Sequence, residues 1–227
     1  AGNAGDPVYV DDVFSTTLYT GVSKSSGFTD INTGVDCNTD GGMVWIKQRS
    51  GSTNHGIFDT ERTNGYYLPT NSNDNGGNIA QASASTPFIR TTGIRFSASG
   101  GTVNHGWFND ANEDHVVWSF KKQEKFFDIV TFTGDGELER NISHNLGSSP
   151  GMVIVKRTDS STSGNWAVGH RAYGQSSSRT GATNGFLNLT SNMNQSTGVY
   201  NFTSTTFSVT DSGNKTNISG ATYVAYL

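Results

Sequence analysis

Carboxylates at short spacings are the residues of this sequence that could do catalytic chemistry. Cleavage of a glycosidic bond uses two carboxyl groups about 5–10 Å apart. Asp59 and Glu61 meet that condition if they lie in one strand, because side chains two residues apart share a face at about 7 Å. A second candidate group contains Asp110, Glu113 and Asp114. Charged loop residues are more often only solvated, so hydrolysis is the less favoured interpretation.

Oxygen-bearing side chains alternate along residues 109–114. Asp110, Asn112 and Asp114 make this stretch a candidate calcium site, because calcium favours loops rich in oxygen ligands. The loop has neither the central glycine nor the distal glutamate of an EF-hand. No other metal or cofactor is predicted, since none of the five histidines stands at a metal-ligand spacing from a second His or Cys.

Aromatic side chains next to amides suit the binding of sugars, whose rings stack on Trp and Tyr while amides and hydroxyls complete the hydrogen bonds. Trp107 adjoins Asn109 and Asp110 in a loop-like stretch, and Tyr173 lies close to Arg171 in another. We therefore predict ligand contacts from Trp107, Asn109, Asp110 and Tyr173. Packing into the core is the alternative role for each of them.

The elements that must position these residues are predicted to be strands. Only 33% of the residues are hydrophobic and 15% charged, and the rest is rich in Gly, Ser, Thr and Asn, which suits short strands joined by polar turns. Continuous apolar runs at residues 43–46 and 152–155 predict strands buried on both faces. Turn-forming clusters recur roughly every 8–15 residues, which favours an all-β sandwich or jelly roll. Tyr66, Tyr67 and Trp166 fall near strands and are expected to pack inward.

The two halves of the chain match segment by segment, which predicts two tandem, homologous β-sandwich units of the jelly-roll or lectin-like kind. The matched pairs include residues 18–21 with 131–134, 42–47 with 151–156, 94–97 with 207–210, 116–120 with 223–227, and Asn104 with Asn217. The offset changes only in Gly/Ser/Asn-rich stretches, as expected of surface loops. The predicted units are residues 1–121, with a short N-terminal lead-in, and residues 126–227, joined by a charged linker.

Two lysines occupy matching places in the central strands. Lys47 and Lys156 stand there, with Arg49 and Arg157 close behind. These cations could bind a glycan or the carboxylate of a ligand. The favoured alternative is that they cap the sheet and pair with an acidic neighbour, because repeated positions usually report a shared scaffold.

Charge and cysteine content restrict the partners and the compartment. The net charge of −4 argues against nucleic acid, whose partners usually carry a basic patch. No apolar run approaches the roughly 20 residues of a membrane span, so membrane insertion is not predicted. Cys37 is the only cysteine, so no internal disulfide can form. That suits folding in a reducing host cytoplasm followed by release. The chain is expected to be a piece of a longer protein.

Four segments resemble a family of tail-fibre and other virion proteins of marine phages, especially cyanophages. They are VDDVFS at 10–15, GMVWIK at 42–47, FDIVTFTG at 127–134 and HNLGSSPGM at 144–152. The resemblance implies lectin-type β-sandwich modules on the virion surface, with a host cell-surface glycan and other virion proteins as partners. It implies no catalytic residues. Analogy with trimeric fibres implies a homotrimer.

The sequence therefore predicts a non-enzymatic phage virion appendage module, of the tail-fibre or adhesin type, that binds a host surface glycan. Two alternatives stay open. One is a purely structural virion component, such as a spike, a fibre shaft or a capsid decoration. The other, less favoured, is a polysaccharide depolymerase.

Overall fold

A computed structural model of the chain describes residues 7–22, 24, 26–79, 88–98, 106–162, 164–173, 175–190, 198–212 and 215–227. The fold is all-β, as the composition predicts. The described helical segments are a single turn, α1 (Val10–Val13), and two 3-10 turns at Gly106–Phe108 and Arg179–Gly181. None of the described helices is long and apolar enough to cross a membrane.

Among the described residues, nine strands lie before residue 122 and eight lie after it. The first set is β1 (Phe14–Thr20), β2 (Gly27–Asn32), β3 (Gly42–Gln48), β4 (Gly56–Asp59), β5 (Tyr66–Pro69), β6 (Gly77–Asn78), β7 (Ile89–Arg90), β8 (Gly93–Ala98) and β9 (Asp114–Lys121). The second set is β10 (Ile129–Thr133), β11 (Arg140–Ser143), β12 (Met152–Arg157), β13 (Ala167–His170), β14 (Gly185–Phe186), β15 (Val199–Tyr200), β16 (Thr206–Val209) and β17 (Thr222–Tyr226).

The strands form four antiparallel sheets, and each sheet takes its strands from one half of the chain. In the first half, sheet 1 has the order β1-β9-β3-β4-β5-β6 and sheet 2 the order β2-β8-β7. In the second half, sheet 3 has the order β10-β17-β12-β13-β14 and sheet 4 the order β11-β16-β15. The strand order of sheet 3 repeats that of the first five strands of sheet 1, and sheet 4 repeats sheet 2.

In the part of the chain that the structure describes, the four sheets stack as layers with three hydrophobic cores between them. The first core lies between sheets 1 and 2 and includes Val44 and Ile46. The second lies between sheets 3 and 4 and includes Val153 and Val155. Residues on the opposite faces of the same strands, such as Met43 and Ile154, belong to a third core. The prediction that the apolar runs are buried on two faces is therefore confirmed for residues 43–46 and 153–155, whereas Met152 at the start of β12 is 45% exposed.

The third core, here called the seam core, joins the two halves. Sheet 1 and sheet 3 each present one face to it, and its buried members are Met43, Ile57, Leu68, Phe127, Ile129, Ile154, Trp166, Val224 and Tyr226. Trp166 is fully buried there, and its indole N–H donates a hydrogen bond of 3.0 Å to the carbonyl oxygen of Pro69. The halves thus share apolar contacts and hydrogen bonds, although no strand pairing joins them among the described residues.

Strand pairing corrects one part of the segment matching. Leu18 lies opposite Val116 in sheet 1, and its match Thr131 lies opposite Val224 in sheet 3. The structural counterpart of Val116 is therefore Val224, one residue beyond the counterpart in the sequence match. A slip of one residue moves every side chain of a strand to the other face. In an apolar run that is buried on both faces, no alternation of polar and apolar residues reveals such a slip, so the sequence match was off by one residue.

The corrected register brings an aromatic stack into the same place in both halves. Tyr19 stacks on His115 with ring centroids 5.0 Å apart and planes 13° apart. Phe132 stacks on Tyr223 at 5.1 Å and 14°. The division into two units at residues 121 and 126 stays a prediction. The lead-in residues 1–6 and Asn104 lie outside the described residues.

Candidate functional site

A cleft of about 690 Å³ opens where the seam core ends at the surface, and it is here called the seam cleft. One wall comes from the turn after β4 and the start of β5, with Glu61, Arg62, Thr63 and Tyr66. The facing wall is one end of sheet 3, where Thr131, Thr133, Thr158 and Thr222 come from β10, β17 and the segment after β12, and Tyr223 also contributes to the lining. Residues from both halves of the chain are therefore needed to form it.

The threonine wall follows from strand alternation. Ile129, Thr131 and Thr133 share one face of β10; Ile129 is in the seam core, and the two threonines continue the face out into solvent. Thr222 lies opposite Thr133 on β17. The hydroxyl oxygens of Thr158 and Thr222 are 2.8 Å apart. Hydroxyls from β10, β17 and the segment after β12 thus form a continuous row.

Tyr66 supplies the aromatic surface of the opposite wall. Its side chain is 42% exposed, whereas the next residue, Tyr67, packs on the first core. The expectation that residues near strands pack inward is confirmed for Tyr67 and Trp166 and is wrong for Tyr66. The reason is alternation, since consecutive side chains of a strand point to opposite faces.

The charged groups of the cleft are paired within the protein. Arg62 Nε donates to Asp59 Oδ2 at 2.6 Å, and the Asp59 carboxylate is fully buried. Burial tends to lower the pKa of Arg62, but its interactions with Tyr226 and with the carboxylate of Asp59 outweigh burial and raise that pKa overall. On the outer side, Lys122 Nζ lies 2.7 Å from Glu61 Oε1. Burial likewise tends to lower the pKa of Lys122, but the hydrogen bond and ion pair with Glu61 raise that pKa overall.

The carboxylates that could have formed a catalytic pair have other partners. Asp59 accepts hydrogen bonds from the guanidinium of Arg62 and from the hydroxyl of Tyr226, and Glu61 pairs with Lys122. In the second candidate group, Glu113 accepts a hydrogen bond from Ser50, which lowers the pKa of that carboxyl. Among the described residues of the seam cleft, Glu61 is the one carboxylate.

Three of the four predicted ligand residues lie in one turn of the first half. Trp107 packs edge-on against Tyr67 and Phe108 and borders the first core. Asn109 is 2% exposed, and its side-chain amide bonds both the N–H and the carbonyl of Val22. Asp110 is half-buried beside it. None of the three lines the seam cleft, so the alternative of packing describes Trp107 and Asn109 better.

Asn109 has a counterpart in the second half, which shows its scaffold role. Asn217 is fully buried, and its side chain accepts from the N–H of Asp135 and donates to the carbonyl of Glu137. Each asparagine therefore fixes the chain that leaves the first strand of its half. The sequence match paired Asn217 with Asn104, which lies outside the described residues; the shared hydrogen bonds to the chain after the first strand pair Asn217 with Asn109.

Tyr173, the fourth predicted ligand residue, is 48% exposed in the turn after β13, where it forms an isolated bridge with His170. It lies in the other half from Trp107, and it lines none of the clefts described here. The structure therefore does not gather the predicted ligand residues into one site.

The candidate calcium residues are dispersed over a turn and a strand end. Asn112 adopts a left-handed conformation with φ of 65°, and Asp114 begins β9, where it accepts a hydrogen bond from Thr20. Among the described residues, no group of three His, Cys, Asp or Glu side chains is placed to hold a metal ion. Calcium binding by Asp110, Asn112 and Asp114 stays a prediction.

Among the described residues, the matching lysines donate to carbonyl oxygens rather than to carboxylates. Lys47 Nζ donates to Gln48 and Gly51, and the fully buried Lys156 donates to Asn73 at 2.9 Å and to Gly164. Burial lowers the pKa of Lys156 to about 8, with Asp74 opposing the shift. From the sequence, we expect the cations at these positions to pair with an acidic neighbour. Arg157 does so, because its guanidinium donates two hydrogen bonds of 2.9 Å to the carboxylate of Asp159.

A second, apolar groove of about 390 Å³ lies at another opening of the seam core. Trp45 and Phe120 line it from the first half, and Phe126 and Met152 are 39% and 45% exposed beside it. Its chemistry contrasts with that of the hydroxyl-lined seam cleft.

The sequence reasoning missed the seam cleft. The available signal was the spacing of Thr131 and Thr133, two polar residues continuing the face of the buried Ile129. Only the packing of sheet 1 against sheet 3 places Tyr66 opposite that face.

Comparison with known proteins gives one result. A family model described as a domain of unknown function, DUF7483, matches residues 10–227. No curated protein and no solved structure matches the chain. Since the match covers nearly the whole length, the chain belongs to the DUF7483 family.

Proposed function

We propose that this chain is a non-enzymatic module of a phage virion appendage, of the tail-fibre or adhesin type, that binds a host cell-surface glycan in the seam cleft. The observation that carries the proposal is the juxtaposition of the exposed Tyr66 ring with a row of threonine hydroxyls. Sugar rings stack on aromatic faces while hydroxyls fix their orientation. The resemblance to phage tail-fibre proteins supports the virion context.

The charges of the cleft support binding without hydrolysis. Hydrolysis of a glycosidic bond uses two carboxyl groups, one on each side of the scissile bond. The described lining holds Glu61 alone, and Lys122 neutralises it. A bound glycan would therefore be held and released intact. On this proposal the chain folds in the host cytoplasm as two tandem sandwich units and acts on the virion surface beside other virion proteins, as a homotrimer.

The test is a pull-down of the purified chain on candidate host cells and on their extracted surface polysaccharide, with new reducing ends assayed in the same tube. We expect saturable retention without new reducing ends, and loss of retention in Tyr66→Ala. Tyr173→Ala is the matched control, because Tyr173 is a similarly exposed tyrosine outside the cleft. Release of reducing ends would overturn the non-enzymatic assignment, and equal loss in both variants would overturn the assignment to the seam cleft.

The apolar groove favours a second candidate function, a purely structural virion component. Exposed Phe126 and Met152 beside Trp45 are typical of an assembly contact. Sedimentation analysis of the wild type and of Met152→Glu distinguishes the two functions. Self-association lost in the variant, together with no retention on cells, would favour the structural role.

A further inference from the structure

The hydroxyl row of the seam cleft has a regular spacing set by the sheet. Thr131 and Thr133 are two residues apart on one face of β10, a separation of about 7 Å, and Thr222 lies across from Thr133 on a neighbouring strand at about 5 Å. Thr158 extends the row by its contact with Thr222. Thr131, Thr133 and Thr222 are exposed, so their hydroxyls can both donate to and accept from a ligand.

The row is bordered by cations that already have carboxylate partners. Arg157 is bound to Asp159, and Asp159 also accepts the backbone N–H of Thr222. Arg140, which donates to the carbonyl of Thr133, pairs with Asp135 at 3.1 Å. The bond to Arg157 lowers the pKa of Asp159, so that pair stays ionised near neutral pH.

The wall opposite the row is neutralised in the same way. Arg62 is the one basic residue among the described lining of the cleft, and the buried Asp59 balances it. An acidic sugar would bring a carboxylate or a sulfate into a site whose cation, Arg62, is already paired with Asp59. The negative charge of Glu61 in the lining would also repel it. Burying a charge without a partner is costly, whereas sugar hydroxyls can exchange bonds with threonine hydroxyls.

We infer that the seam cleft selects uncharged polysaccharides, with the ring of Tyr66 stacking on a hexose while Thr133 and Thr222 bind its hydroxyls, and that it discriminates against uronic-acid and sulfated polymers. This inference rests on the proposed function and narrows its ligand class. Recognition by hydroxyls and an aromatic face makes binding insensitive to salt, because screening weakens only the attraction between charges.

The experiment compares retention of the full chain on two sets of immobilised polymers. The neutral set is a β-glucan, a mannan and an agarose galactan, and the acidic set is alginate, hyaluronan and a carrageenan. We expect retention on at least one neutral polymer and on no acidic one. Retention should change less than twofold when NaCl rises from about 0.05 M to about 0.5 M.

Thr133→Val and Thr222→Val test the hydroxyl row, since each removes a hydroxyl with little change in volume. Each is expected to weaken binding to the neutral polymer roughly three- to tenfold. Thr20→Val is the matched control, because Thr20 takes the place of Thr133 in the first half, opposite Asp114. Thermal melting of all three variants shows whether a loss of binding reflects unfolding.

The outcomes distinguish the claim that the chain binds a glycan from the claim that the seam cleft selects uncharged polymers. Salt-sensitive retention on acidic polymers alone would overturn the inference while leaving glycan binding in place. Equal loss in the control variant would overturn the assignment to the hydroxyl row. No retention on either set would count against the proposed function itself.

Discussion

The hydroxyl of Tyr226 donates a hydrogen bond of 2.6 Å to Asp59 Oδ2, across 167 residues of chain. Tyr226 lies in β17 of the second half, and Asp59 ends β4 of the first. Burial, reinforced by the nearby carboxylate, raises the pKa of Tyr226 well above its ordinary value, so the phenol remains a donor at physiological pH. This bond fixes Asp59, which in turn orients Arg62 on the wall of the seam cleft.

Removing that donor should destabilise the whole chain. In Tyr226→Phe, the buried Asp59 carboxylate keeps Arg62 but loses one bond, so we expect the free energy of unfolding to fall by about 1–3 kcal/mol. Urea unfolding measures the change. Tyr173→Phe removes an exposed hydroxyl and should change stability by less than about 0.5 kcal/mol. Equal effects of the two variants would contradict a role for the Tyr226 bond.

The seam core should make the two halves unfold together. In the wild type, tryptophan fluorescence and far-UV circular dichroism are expected to report one coincident urea transition. Trp166→Ala leaves a cavity in the seam core and frees the carbonyl of Pro69, which should cost about 3–5 kcal/mol. We expect the two probes to separate in this variant, because the remaining tryptophans all lie in the first half.

The control for the seam is Trp107→Ala, which removes an aromatic ring from the border of the first core. Its two transitions should remain coincident, although the midpoint falls. Separate transitions in the wild type would show that the halves are energetically independent.

Lys156 should make stability depend on pH in the alkaline range. Burial lowers its pKa from 10.5 to about 8, so between these pH values the unfolded chain binds more protons than the folded chain. Stability contributed by this group is therefore gained as pH rises from about 8 to about 10.5. Relative to Lys156→Met, the wild type should gain roughly 2 kcal/mol between about pH 7.5 and about pH 9.5.

The difference between these two proteins isolates Lys156. Burial raises the pKa of Cys37 to about 12, which opposes the trend, but Cys37 is present in both proteins and cancels. Urea unfolding at both pH values measures the difference. A difference that does not vary with pH would show that Lys156 keeps its ordinary affinity for protons.

Two matching glycines should be intolerant of any side chain. A Cβ atom at Gly21 would lie 1.9 Å from the carbonyl oxygen of Asp110, and one at Gly134 would lie 2.1 Å from that of Ile218. We expect Gly21→Ala and Gly134→Ala to destabilise the chain by about 1–3 kcal/mol each, because backbone must move to relieve the overlap. A Cβ atom at Gly151 meets nothing within 4 Å, so Gly151→Ala is the control. Thermal melting compares the three, and a neutral result at Gly21 or Gly134 would contradict the close approach.

The sequence by itself determined the all-β class and the strands at residues 43–46 and 152–155. These follow from local physics, since apolar runs of four residues between Gly-containing segments are too short for a buried helix and fit strands buried between two layers. The repeated order of segments likewise agrees with the repeated strand order of sheets 1 and 3. The sequence did not determine the strand register, because an apolar run such as 223–226 has no polar face that shows which side chains point to which side of the sheet.

Only the tertiary structure decided which polar and aromatic residues face solvent and which are buried. Asn109 resembles a ligand residue in sequence, yet its amide is used by Val22, 87 residues away. Tyr66 resembles a core residue, yet it faces Thr131 and Thr133 across the seam cleft. Both outcomes depend on partners remote in sequence, and the packing of sheet 1 on sheet 3 brings those partners together. Side-chain roles at such a seam are set by long-range contacts that local spacing does not encode.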